Sequence, residues 1–325
     1  MILLCGATGR VGGALLRELL AANAPVRCLV RDPDRARAQF AAADAARDGV
    51  LVPLAKLGGP HTKGTQSNGP QVEWARGDFG DSATVAAALH GVERVFVMSP
   101  VSADLAAQQI NLVNAAARAG VTRIVKLSGS SWTMPAGTLT AGSTATATTT
   151  ATGTLHAQVE AAITATGVTH TLVRPTVFMQ GMLSRIIESI TQTDSFGLAL
   201  GNARAAFIDI GDIAEVASHA LLAGQALGPV LDITGPQAYS GEDIARIASA
   251  LTARSISYQA LLLEAALARA SSVTAFMQCH LRDVLTLMLA GEAANVTDTV
   301  AQICGRPARP VEDWLHAALV AATPR

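Results

Sequence analysis

MILLCGATGRVGG, residues 1–13, is the stretch on which the fold turns. Five apolar residues are followed by glycines at 6, 9, 12 and 13. A secretion signal needs a basic leading region and an apolar core of roughly 7–15 residues. MILLC is too short and has no positive flank, so it reads as a buried strand. Gly6-x-x-Gly9-x-x-Gly12 then makes a turn, and ALLRELLAA (14–22) continues as a helix. In such a unit the first glycine permits the tight turn and the second lets backbone approach a pyrophosphate. The third allows close packing of helix on strand, and the helix N-terminus faces the anion. The spacing differs from G-x-G-x-x-G, but the strand–turn–helix context is the one a dinucleotide loop requires. Gly6, Thr8, Gly9, Arg10, Val11 and Gly12 are therefore expected to hold a dinucleotide.

The next strand, VRCLVR (26–31), ends at Arg31-Asp32. An acid at that tip would accept hydrogen bonds from a ribose 2′-OH, whereas an arginine pairs with a 2′-phosphate. Arg31 comes first, and Arg10 lies in the glycine loop, so NADP(H) is favoured over NAD(H). Asp32 has two other readings, as a ribose acceptor or as a cap for the following helix.

Beyond this point strands and helices alternate. Strands are expected at 71–78, 94–100, 122–129 and 169–175, and helices at 105–120 and 155–166 among others. The strands read apolar on both faces, as strands of a parallel sheet covered by helices do. The fold class expected is α/β: a Rossmann-type doubly wound parallel sheet with a smaller, mainly helical C-terminal cap. Residues 1–180 would bind the cofactor and 181–325 the substrate, with elements at 207–235 returning to the first unit. Two stretches, LGGPHTKGTQSNGP (57–70) and the small-residue run at 137–154, read as loops, the second as a lid candidate.

Composition narrows the function. Half of the 325 residues are apolar and 15% are charged, enough for a sizeable core. A net charge of −1 without a basic run, and 4% aromatics, exclude the usual means of binding nucleic acid. No run approaches the ~18 apolar residues of a membrane span. The four cysteines are far apart and show no metal-ligand spacing. Reduced thiols, a cytoplasmic location and no bound metal are expected.

GATGRVGG, the RDP after the second strand, GDF (77–79) and HAQVEAAITATGVTHTLVRPTVFMQ (156–180) together resemble the NmrA-like atypical short-chain dehydrogenase/reductases. FIDIGDIAEVASHAL (207–221) and LDITGPQAYSGEDIARIAS (231–249) match that family's next two segments. The resemblance runs over nearly the whole chain except the two loops. It implies NAD(P)H-dependent reduction of quinones, azo dyes, triphenylmethane dyes or isoflavone-like compounds, or cofactor sensing without catalysis. It also implies positions for the cofactor. Asp78 and Phe79 would lie beside adenine, and Met98, Ser99 and Pro100 along the ribose and diphosphate. Ser128 and Gly129 would approach the nicotinamide ribose, and Pro175, Thr176, Val177 and Phe178 the carboxamide.

Ordinary short-chain dehydrogenases use Tyr-x-x-x-Lys, whose tyrosine donates a proton. Here His156 stands at the lysine position and Thr152 four residues earlier, so that dyad is absent. His156, with Ser128, is the catalytic candidate: it would bond the ribose or protonate a reduced substrate, the other reading being a helix-start histidine satisfied by solvent. Glu160, at i+4, either orients its imidazole or forms an exposed pair. Lys126 is expected to be structural or on the surface. His170, His219 and His280 are expected to be structural, and Asp209 and Asp212 to fix a turn and cap a helix. An apolar cleft is suggested by Met179, Met182, Leu183 and Ile186, although such a stripe also reads as core. The leading expectation is an NADPH-dependent reductase acting on a hydrophobic, electron-poor small molecule, as monomer or homodimer. A non-catalytic NADP(H) sensor is the alternative.

Overall fold

The computed structural model describes residues 1–45, 72–135 and 150–322. The stretch 57–70 and most of 137–154 lie outside the described residues. In chain order the first elements are β1 (Ile2–Cys5), α1 (Arg10–Ala21), β2 (Val26–Val30), α2 (Pro33–Ala45), β3 (Glu73–Arg76) and α3 (Ser82–Ala88). Then come β4 (Arg94–Val97), α4 (Leu105–Arg118), β5 (Arg123–Leu127), α5 (Ala151–Ala165) and β6 (Thr169–Pro175). The remainder comprises α6 (Met179–Met182), α7 (Ile187–Thr193), β7 (Ser195–Leu198), α8 (Ile210–Leu222), β8 (Val230–Ile233) and α9 (Gly241–Thr252). It ends with β9 (Ser257–Ala260), α10 (Leu263–Ala268), α11 (Ala275–Leu289), α12 (Thr299–Cys304) and α13 (Val311–Ala322).

Seven strands form one sheet in the order β3-β2-β1-β4-β5-β6-β8, and every pairing is parallel. Strand order reverses between β1 and β4, which opens a crevice at their carboxyl ends. The expected doubly wound α/β fold is present. One face is covered by α1 and α8, whose Leu15, Leu19, Ile213 and Ala217 meet Leu4, Cys28, Phe96 and Val125 from the strands. The other carries α3, α4 and α5, with Val85, Leu112, Val113 and Val159 on Leu3, Val95 and Ile124. Burial on both sides explains why the strands read as unbroken apolar runs.

A second core gathers α6, α7, α9, α11 and α13 around a two-stranded parallel sheet of β7 and β9. Met179, Leu183 and Ile186 are buried in it, so this stripe is core, not an open cleft; Met182 is half-buried. Helix α5 starts at Ala151, four residues before the expected position. The Thr150 hydroxyl accepts the Gly153 N–H at 2.8 Å, and a Cβ on Gly153 would collide with the Thr133 carbonyl. A cap and a close approach thus make a helix start within a small-residue run. All four cysteines are free thiols, and burial pushes the Cys5 and Cys28 pKa values up. Among the described residues no helix is long and apolar enough to cross a membrane.

Candidate active site at the strand tips

The turn after β1 shows what its glycines do. Gly6 sits at φ +74°, a conformation that side chains resist. Gly12 packs against it: a Cβ there would stand 2.1 Å from the Gly6 carbonyl oxygen. Gly9 donates its N–H to the same carbonyl at 2.9 Å and is the N-cap of α1. It brings no side-chain cap, so nothing competes for the first-turn N–H groups. A dinucleotide diphosphate fits such a cradle in both shape and polarity. Met98, at the tip of β4, covers the turn; its Cε would be 2.2 Å from a Cβ on Gly6.

The other expected cofactor residues are distributed as follows. Thr8 and Arg10 are exposed, whereas the Val11 side chain is buried in the core and has only its backbone at the turn. Arg10 reaches across to donate to the Gln180 carbonyl, away from the β2 tip. Gln180 in turn donates to Asp209 at 2.6 Å and accepts the Ile210 N–H, so one residue ties the glycine turn to the start of α8. At the end of β2, Asp32 caps α2 by accepting the Arg35 N–H at 3.1 Å. Arg31 is exposed and has no ion pair among the described residues. The Asp78 carboxylate accepts the Gly80 N–H at 2.8 Å, and Phe79 is half-buried against the face that carries α3 and α4. Pro100 is exposed, Pro175 buried, and Val177 and Phe178 half-buried.

Two buried polar networks flank the tip of β5. In the first, Ser99 Oγ accepts from Gln109 Nε2 at 2.9 Å, and Gln109 Oε1 accepts from Lys126 Nζ at 2.8 Å. Lys126 Nζ also reaches the Leu127 carbonyl at 3.1 Å and His156 Nδ1 at 3.1 Å. Lys126 is therefore fully buried within the site, contrary to its surface reading, because β5 is covered on both faces. Burial pulls its ammonium down to about 7, against an upward pull from Glu160. Burial, then the charges of Lys126 and His280, hold the His156 imidazole well below its ordinary pKa, so the ring is neutral. That ring lies against Gly129, where a Cβ would be 2.9 Å from its Cδ2.

In the second network Ser128 Oγ donates to Glu160 Oε1 at 2.5 Å, and Arg174 Nε donates to the same oxygen at 3.0 Å. Arg174 also pairs with Glu160 Oε2. Glu160 is thus committed to Ser128 and Arg174; it neither orients His156 nor forms an exposed pair. The helix face it occupies looks onto the sheet, where Arg174 of β6 waits.

Further polar atoms near these tips are buried and lack a partner among the described residues: Trp132 Nε1, Thr152 Oγ1, Thr176 Oγ1 and His280 Nδ1. Trp132 and Thr176 line a cavity of about 850 Å³ beside β8. Its other walls include Ser130, Pro175 and Thr297, and none comes from the glycine turn. Asp209 caps α8 as expected, through the Gly211 N–H at 2.6 Å. Asp212 does not cap: it is fully buried and paired with Arg306 and Arg309. Glu215, His219 and Cys304 bring ligand-type atoms within 4.8 Å of one another, but Glu215 is taken by the same two arginines.

Sequence reasoning missed Gln109, Arg174, Gln180 and the Lys126–His156 contact. The available signal was a lysine and an arginine inside RIVKL and THTLVRP, strands whose remaining residues require cover on both faces.

Similarity to known proteins agrees with this architecture. The chain is 30% identical over 321 residues to an NAD(P)H azoreductase from Xenophilus azovorans, covering 98% of this chain and 97% of that one. Its fold matches an NADPH-dependent quinone oxidoreductase from Escherichia coli solved with NADPH. The TM-score is 0.75 at 21% identity, over 97% of this chain and 98% of that one. It also matches triphenylmethane reductase from Citrobacter sp. solved with NADP(H), at TM-score 0.77 and 18% identity, over 98% and 100% of the two chains. The NmrA-like family matches residues 1–289. With the glycine turn at the switch point and that match over most of its length, the chain belongs to the NmrA-like family.

Proposed function

We propose that the protein is an NADPH-dependent reductase that delivers hydride to an electron-poor organic acceptor such as a quinone, a conjugated carbonyl or a dye-like compound. The observation that carries this reading is the pairing of two features across the strand tips: an uncapped, glycine-lined helix start and a buried neutral imidazole against Gly129. A bound reduced nicotinamide supplies the hydride. Gly6, Gly9 and Gly12 would receive its diphosphate, with Thr8 and Arg10 at the rim. Met98, Ser99 and Pro100 would border it, and Asp78 and Phe79 would border the adenine. Arg31 would meet the 2′-phosphate; Asp32 is spent on capping α2, which leaves arginine as the charge at that tip. The NADPH and NADP(H) complexes of the two structural neighbours point the same way.

Ser128, Gly129 and His156 would face the nicotinamide ribose, and the unpartnered Thr176 hydroxyl, with Pro175 and Phe178, the carboxamide. His156 replaces the Tyr/Lys dyad as the polar group beside the reacting carbon. Acceptors that are already electron-poor need little acid catalysis, so orientation and exclusion of water do most of the work. Residues 181–325, without the strand and helix that return to the sheet, would form the substrate cap. Four free thiols suit a reducing, cytoplasmic setting.

The test is NADPH consumption by the purified protein with quinones, enones, azo compounds and cationic dyes, with NADH alongside. Acceptor-dependent turnover is the expected result. Tight NADPH binding without turnover by any acceptor overturns the reading in favour of a cofactor sensor.

A further inference from the structure

Lys126 Nζ makes hydrogen bonds to Gln109 Oε1, the Leu127 carbonyl and His156 Nδ1, and among the described residues it has no carboxylate in direct contact. Gln109 Oε1 and the Leu127 carbonyl can only accept, so they claim two of its N–H groups. His156 Nδ1 can accept or donate. As an ammonium, Lys126 donates all three hydrogens and holds His156 as the Nε2–H tautomer. As an amine, it donates two and accepts from Nδ1–H. Both states satisfy Lys126 Nζ and His156 Nδ1, so a proton can pass between these two atoms without rearrangement of their partners.

We propose that Lys126 is the proton source behind His156, and that this relay fits the site to neutral acceptors, which must gain a proton as well as a hydride. The inference rests on the reductase reading above. The acceptor's π bond takes up hydride drawn from a reduced nicotinamide, and the π electron pair moves onto its oxygen or nitrogen. That atom takes the proton from His156 Nε2. Nδ1 takes a proton from Lys126 Nζ, which ends as a neutral amine. One positive charge leaves the buried pair as one appears on the oxidised cofactor, so the net charge of the pocket is unchanged. Solvent reprotonates the pair through Nε2 after product leaves. Nε2 has no partner among the described residues, and His156 as a residue keeps 8% exposure. A cationic dye is neutralised by hydride alone and has no use for the relay.

The charged and titratable groups around the pair are Glu160 on the same helix, bound to Arg174 of β6, and His280 and Asp283 of α11. Glu160 favours the lysine's proton, and His280 disfavours one on His156.

Two measurements test the relay. The first compares kcat for a benzoquinone and for a cationic triphenylmethane dye, in the wild type and in Lys126→Met. General acids contribute roughly 10²–10⁴-fold. The quinone-to-dye ratio of kcat is expected to fall at least tenfold in the variant. In the wild type, quinone turnover is expected to decline above pH about 7, where Lys126 loses its proton, while dye turnover does not follow that step. Equal losses with both acceptors overturn the relay and leave the reductase reading standing. No turnover with any acceptor overturns both.

The second uses ¹⁵N NMR of the histidine rings in cofactor-free wild-type protein, with His156 assigned by its loss in His156→Gln. The ring is expected as Nε2–H below pH about 7 and as Nδ1–H above it. A single tautomer at every pH, or an imidazolium at pH 7, overturns the relay even where Lys126→Met fails to fold.

Discussion

Replacing Lys126 by methionine removes a buried charge while keeping an unbranched side chain of similar length. In the unfolded chain the ammonium titrates near 10.5, and in the fold burial brings it to about 7. Below pH 7 both states carry the proton, and the folded state bears the full cost of burying it. Between those two values the unfolded chain holds a proton that the folded chain has released. Stability therefore rises with pH, by up to about 1.4 kcal/mol per unit. Integrated from pH 7 to 9, where the folded group is only half titrated at the start, wild type gains about 2 kcal/mol relative to Lys126→Met. The absolute difference between the two proteins also includes the donors lost by Gln109 and Leu127, but the slope does not. Other shifted groups remote from the pair, such as Cys5, Cys28, Cys304 and Tyr239, are common to both proteins and cancel. His156 would not cancel at lower pH, because it loses the repulsion of Lys126 in the variant. Urea unfolding at pH 7, 8 and 9, followed by tryptophan fluorescence, measures the difference. Parallel pH dependences in the two proteins would show that Lys126 keeps an ordinary pKa, and the argument from burial would fail.

Three other substitutions probe the rest of the site. Gly12→Ala puts a Cβ 2.1 Å from a backbone oxygen that cannot swing aside. It should cost about 1–3 kcal/mol and abolish NADPH binding, as thermal melting and fluorescence titration would report. Unchanged binding would refute the cradle. Arg31→Ala should raise the Kd for NADPH by about 10–100-fold, the worth of a hydrogen bond to a charged group, and leave NADH nearly unaffected. Equal weakening of the two would remove the role given to Arg31. Arg174→Met strands the buried Glu160 carboxylate and should destabilise by about 3–5 kcal/mol in urea. Adding Glu160→Gln should restore part of that loss, and no restoration would mean the two residues are not coupled.

The sheet was legible because covered parallel strands announce themselves: ILLC, VRCLV and RVFV have no outward polar face. The glycine turn was legible because its spacing lies between such a strand and a helix. The start of α5 was not, since the threonines and glycine of ATGT are poor helix formers, and a cap on Thr150 and the fit of Gly153 under Thr133 decide it. Glu160 shows the limit of helical spacing. Counting four residues from His156 places both on one face, but a carboxylate seeks the nearest guanidinium, and Arg174 reaches it from a strand that spacing does not see. The surface alternative for Lys126 fails for the converse reason. A lone charge in a strand suggests solvent, yet the same strand's apolar neighbours required that it be enclosed.

The ion cluster of Asp212 and Glu215 with Arg306 and Arg309 has a practical consequence for anyone dissecting this protein. Helix α8 lies against α1, the helix that opens at the glycine turn, and β8 completes the sheet beside β6. A fragment cut at residue 180 would forfeit both elements. One cut at 289, where the family match stops, would leave the fully buried Asp212 without either cation. The smallest autonomous unit that can present the cradle in working form is therefore the nearly full-length chain, and attempts to express the nucleotide-binding half by itself should yield insoluble protein.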